Sequence, residues 1–178
     1  PVANSVFAVT TMAIAVPTGV KIFNYMATMW KGSISLTTSM LYAIGFIFLF
    51  VIGGLSGVMH SSAASDAQQQ DSYFIVAHLH YVLFGGSIMA LGSGIYYWFP
   101  KMTGRLMDEK IGKLNFLLVF IGMNVTFFPM HFLGLDGMPR RIYTYDSDMG
   151  WNLWNAVSSV GYFILALGVL ILIVNLIR

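Results

Sequence analysis

The sequence predicts an all-α protein, a polytopic membrane helix bundle with five transmembrane helices along its 178 residues. Three observations carry that expectation. Hydrophobic residues make up 57% of the chain and charged residues only 9%, against roughly 25% charged in an average soluble domain. Mean hydropathy is +0.76. The nine Lys and Arg and seven Asp and Glu are gathered into short stretches that leave five long apolar runs. Each run reaches the roughly 20 residues a helix needs to cross about 30 Å of hydrocarbon. All five are continuously apolar and lack the strand-length alternation of outer-membrane barrels, which selects helices.

In chain order, the first span is expected from Ser5 to Thr28. It holds Lys21, the one formal charge inside any span, and a break at Pro17, which removes a backbone hydrogen bond. The second runs from Ser33 to Val58, the third from Ser72 to Phe99, the fourth from Leu114 to Gly134 and the fifth from Asn152 to Ile177. No linker, repeat or low-complexity tract divides the chain, so residues 1–178 are taken as part of one domain. The absence of cysteine excludes a disulfide framework and a thiolate metal site. Pro1 stands where a start methionine would, and no signal-like segment follows, which suggests a piece of something longer.

Loop charge orients the bundle. If the spans alternate, Lys31, Lys101, Arg105, Lys110, Lys113 and Arg178 share one side with Asp108 and Glu109. Arg140 and Arg141 share the other with Asp66, Asp71, Asp136, Asp146 and Asp148. Excess Lys and Arg marks the inner side, so the first span runs inward and the third starts outside.

Within the third span, "DSYFIVAHLHYVLFGG" places His78 and His80 two residues apart in an apolar run, on the order of 10 Å below its outer end. At about 100° per residue the two side chains point to opposite faces of one helix. One metal ion cannot be chelated by such a pair, and two separate partners are required. Imidazole is a common axial ligand of heme iron, and Ala77, Gly85, Gly86, Ala90, Gly92 and Gly94 would let flat macrocycles or neighbouring helices come close. The plainer reading, a hydrogen bond from each ring to an adjacent helix, stands beside it.

Here a resemblance becomes specific. "VAHLHYVLFGG" resembles the tenth transmembrane helix of subunit I, the catalytic subunit of the heme-copper terminal oxidases. "AVPTGVKIFNY" is similar to its eighth helix, "GFIFLFVIGGLSGV" to its ninth, and "NVTFFPMHFLGLDGMPRR" to its eleventh helix and the following loop. The likeness covers nearly the whole chain in the family's order and implies helices eight to twelve of twelve.

The resemblance assigns roles residue by residue. It implies that His78 is the axial ligand of a high-spin, oxygen-binding heme and His80 one axial ligand of a low-spin heme. Lys21 and Thr18 match the proton-uptake route called the K-channel; on position alone Lys21 could equally snorkel to the inner surface. Arg140 and Arg141 match a pair that holds heme propionates, the alternative being a solvated loop pair. Asp66 is expected in the propionate region and Asp71 as a magnesium ligand, with Gln70 standing where relatives that carry the magnesium site have histidine. Leu79 replaces a common phenylalanine and should alter packing only; His60 and His131 are expected to be structural or interfacial.

The cofactors implied are two hemes, expected to be of the a type, copper bound by the N-terminal half of the subunit, and the magnesium ion. The partners implied are that N-terminal half, subunits II and III, cytochrome c or a quinol as donor, O2 and membrane lipid, with no nucleic acid. A bacterial or archaeal plasma membrane, or the mitochondrial inner membrane, is the expected location. The activity implied is reduction of O2 to water with coupled proton translocation, which this segment could not perform alone. A nitric oxide reductase and a non-catalytic heme-binding bundle are the alternatives; the "PTGVK" stretch favours the oxidase.

Overall fold

A computed structural model describes residues 2–178. Among them, five helical segments are long and apolar enough to cross a membrane: Val2–Met29, Thr38–Ser61, Tyr73–Thr103, Glu109–Leu135 and Asn152–Ile177. We label the helices α1 (Val2–Met29), α2 (Thr38–Ser61), α3 (Ala63–Gln69), α4 (Tyr73–Leu83), α5 (Met89–Thr103), α6 (Glu109–Phe127), α7 (Pro129–Leu135) and α8 (Asn152–Ile177). A π-helical turn, Phe84–Ile88, joins α4 to α5, so these two form one span. Pro129, which has no N–H to continue the ladder, marks the break between α6 and α7 within the fourth.

The ends of the spans depart from expectation where capping outweighs hydropathy. The second begins at Thr38, not Ser33, because the Thr37 side chain accepts the Met40 amide and residues 33–37 stay outside the helix. The fourth begins at Glu109, five residues before Leu114, because the Asp108 carboxylate accepts the amides of Lys110 at 2.8 Å and Ile111 at 3.0 Å. Those two amides, Ile111's foremost, hold the Asp108 carboxyl below the usual carboxylate range. The third continues to Thr103 and stops at Gly104, whose φ of +72° suits a residue without a side chain. The short helix α3 has no counterpart among the expected elements.

The core lies between α2, α4, α5, α6 and α8, around Tyr42, Leu49, Tyr81, Met89, Val119, Met123, Phe127 and Leu165. Close approach of α6 and α8 depends on glycine. A Cβ on Gly122 would sit 2.6 Å from the Leu165 nitrogen and 2.8 Å from its Cα, and Gly161 faces the backbone of Val125 and Thr126 in the same manner. Toward the basic end, Asn115 ties four helices together. It accepts from Tyr42 at 2.6 Å and Tyr96 at 3.2 Å, and donates to the Gly168 carbonyl at 2.7 Å. At that end, the Thr38 amide and hydroxyl both donate to Glu109, while Asn175 bridges the backbone of Asp108. α1 buries no residue; it leans on α2 with Tyr25 edge-on to Phe46.

Gly122→Ala should lower the thermal midpoint of the detergent-solubilised protein by an amount equivalent to about 1–3 kcal/mol, since backbone rather than a flexible side chain blocks the new methyl. Gly54→Ala, at a position with nothing within 4 Å, should be neutral or stabilising through helix propensity. Equal midpoints for both variants would show that α6 and α8 are not held at this separation.

Candidate functional site

α4 carries the paired histidines, and its first turn is fixed by Ser72, whose hydroxyl accepts the Phe74 amide at 3.2 Å. One face of α4 meets α2 through a stripe at helical spacing: Gly53, Ser56, Gly57 and His60. His78 Nδ1 lies 3.0 Å from the Gly53 carbonyl oxygen and 2.8 Å from Ser56 Oγ, while the Ser56 hydroxyl donates to the same carbonyl at 2.9 Å. A carbonyl only accepts, so Nδ1 carries the proton and Nε2 the lone pair. Gly57 leaves room for this ring, since a Cβ there would stand 3.1 Å from His78 Cε1.

His80 turns to the other side of α4. Its Nδ1 lies 2.8 Å from the Val76 carbonyl, which by the same reasoning leaves the lone pair on Nε2. The ring stacks on Phe127 of α6, with centroids 4.0 Å apart and planes at 13°. The structure therefore places the two imidazoles against different helices, as two residues at about 200° require.

At the acidic end, the loop after α7 is clamped onto the start of α4. Tyr73 donates its amide to Met138 and Arg140 donates its amide to Asp71, at 2.9 and 2.8 Å, and Ser72 and Pro139 form a short antiparallel bridge. Gly134 lies against the Phe74 backbone, leaving no space for a side chain. Arg140 forms an ion pair with Asp71, and its Nε is buried without an acceptor. Asp71 and Arg141 both take left-handed backbone conformations, φ 58° and 67°.

The remaining residues singled out in the sequence are dispersed. Arg141 and Gln70 are exposed. Asp66, on α3, lies 3.7 Å from His60 Nδ1. Lys21 is exposed on α1, and the Thr18 hydroxyl turns back to donate to Ile14 of its own helix at 2.9 Å. Among the described residues, no three His, Cys, Asp or Glu lie together so as to hold a metal ion. His131 packs edge-on to Phe74 and near Tyr81 and bonds the Phe128 carbonyl, an interfacial place. Sequence reasoning missed the position of His60, whose ring centroid is 4.9 Å from that of His78. Its spacing of three and four from Gly57 and Ser56 on one helical face was the available signal.

The fold and these residues define a class: a polytopic helix bundle that offers two imidazole lone pairs from one helix to two different neighbours. The chain belongs to the family of cytochrome c and quinol oxidase polypeptide I, which it matches over residues 1–164. It is 56% identical over 177 residues to cytochrome c oxidase subunit 1 of Bacillus sp. (strain PS3), covering 99% of this chain and 29% of that protein. It is 54% identical over 173 residues to quinol oxidase subunit 1 of Bacillus subtilis (strain 168), covering 97% and 27%. The chain thus spans less than a third of the length of these relatives. In fold it is similar to a heme-copper terminal oxidase dimer solved by cryo-EM, with a TM-score of 0.82 at 19% identity over 98% of this chain and 36% of the other.

The family implies heme and copper in general. The residues present suit heme: two Nε2 lone pairs on opposed faces, and a buried guanidinium nitrogen lacking an acceptor near the start of the same helix. They do not suit copper, for want of a clustered ligand set among the described residues.

Arg140→Gln should leave the loop docked and cost under about 1 kcal/mol, since a half-exposed ion pair is worth little beside two backbone hydrogen bonds. Gly134→Ala should undock it, seen as faster proteolysis within residues 136–151. Equal cleavage of both variants would place the docking energy in the ion pair.

Proposed function

We propose that this chain is the heme-ligating part of the catalytic subunit of a respiratory terminal oxidase, which reduces O2 to water with electrons from cytochrome c or a quinol and couples this to proton translocation. The observation that carries the reading is the pair His78 and His80, each with Nδ1 engaged by a backbone carbonyl, which leaves Nε2 for a metal, and with the two rings packed against different helices. Such second partners fix tautomer and ring orientation and raise the basicity of the nitrogen left to bind a metal. His78 would hold the high-spin heme and His80 the low-spin heme, each through Nε2. When bound, the two hemes would supply electron transfer and, with copper held outside this chain, the oxygen chemistry.

Other residues take supporting parts in this reading. Arg140, with its unpaired Nε, and Arg141 would hold propionates by charge-assisted hydrogen bonds, while the part of Asp66 in that region rests on the resemblance alone. Asp71 is already paired with Arg140, so a magnesium ion there would need ligands from outside the chain. Lys21 would relay protons, with Thr18 one helical turn before it. The remaining helices of subunit I, together with subunits II and III, would cover α1 and the other lipid-length surfaces.

His80→Ala in the full-length subunit should abolish the low-spin heme spectrum while retaining a carbon monoxide-binding heme, and His78→Ala should do the reverse. Both signals persisting in either variant would refute the assignment of that residue.

Lys21→Met separates a proton carrier from a snorkelling side chain. If Lys21 relays protons, both hemes remain and reduction of the high-spin heme slows roughly a hundredfold, as an uncompensated buried charge costs several kcal/mol and each ~1.4 kcal/mol is tenfold in rate. A rate equal to that of the unaltered enzyme would return Lys21 to a structural role.

A further inference from the structure

We propose that His60 is a positioning residue for His78, setting the plane of its imidazole and thereby the orientation of the metal-binding nitrogen. The inference rests on His78 being a heme ligand as proposed above and adds a residue to which the resemblance assigned no functional part.

His60 occupies the last turn of α2, one helical turn beyond the Gly53, Ser56 and Gly57 surface that receives the His78 ring. The hydrogen bond to Gly53 restrains rotation about the Cβ–Cγ bond through Nδ1 alone, and packing against the ring narrows what freedom the bond leaves. His60 supplies the limit on the side toward the acidic end. The two rings meet edge to face, with centroids 4.9 Å apart and planes at 65°, within the range where the positive edge of one ring is drawn to the face of the other.

His60 is itself held. Phe74 meets it edge-on at 5.4 Å and 81°, and Asp66 stands 3.7 Å from Nδ1. Its side chain is 9% exposed, and neither ring nitrogen has a hydrogen-bond partner. Its polar contact is the longer-range one to Asp66, and against His78 it presents a flat ring. Its shape and ring edge are what this place uses. Gly57 on one side, Gly53 and Ser56 at Nδ1 and His60 on the other define one orientation of the His78 ring.

The test is resonance Raman spectroscopy of the reduced full-length subunit carrying both hemes, read at the iron–histidine stretching band of the carbon monoxide-binding heme. His60→Ala should displace and broaden the band, and His60→Phe, which restores a flat ring edge without nitrogens, should return it to its original position. Low-spin heme bands should not move in either variant. If His60→Ala does not assemble heme, His60→Leu replaces it with the same expectation, because a branched side chain presents no ring edge. An unmoved band in the Ala or Leu variant overturns the proposal. So does an equal displacement in the Phe variant, since the nitrogens would then be the active feature. His78→Ala separates this from the parent reading: survival of the band there shows that another residue holds the iron.

Discussion

Inside hydrocarbon no water replaces a lost hydrogen bond, and this constraint shapes most of the buried polar groups in the bundle. It explains why His78 Nδ1 is tied to Gly53 and His80 Nδ1 to Val76, and why Asn115 serves two tyrosines and a carbonyl at once. Polar residues are few here, and most of those that are buried join two or more helices. The candidate ligands inherit their tautomers from the same need: once a backbone carbonyl takes Nδ1–H, Nε2 alone can bind a metal.

Glycine makes those short hydrogen bonds reachable. Gly85, in the π-helical turn, lets that segment lie against Leu49 of α2, and Gly53 lies against the backbone of Tyr81 and Val82 on α4. With α2 and α4 so close, a carbonyl of one helix can reach a ring on the other. A π-helical turn after the histidines also shifts the register of α5 relative to α4, so the two halves of the span present their side chains independently. The acidic-end loop completes the frame by fixing the first turn of α4 through Tyr73 and Asp71, upstream of both histidines.

The five spans were legible in the sequence because length and hydropathy answer directly to bilayer thickness. Their ends were less so: Thr37 and Asp108 act through side-chain caps that add or remove several residues regardless of hydropathy. The opposed faces of His78 and His80 followed from helical periodicity alone. Asp71 with Arg140 was legible only as two charges on one side; that they meet depends on a loop folding back across 69 positions of chain, which no local pattern encodes.

By itself, then, the sequence determined an all-α membrane bundle and the opposed histidines, since both depend on local period and composition. Tertiary structure decided that the Gly53 carbonyl of α2 orients the His78 ring, that Arg140 keeps a buried nitrogen without an acceptor, and that His60 lies against His78. These are contacts between helices, set by how closely glycine lets two backbones approach, and their distances are written only when the helices pack.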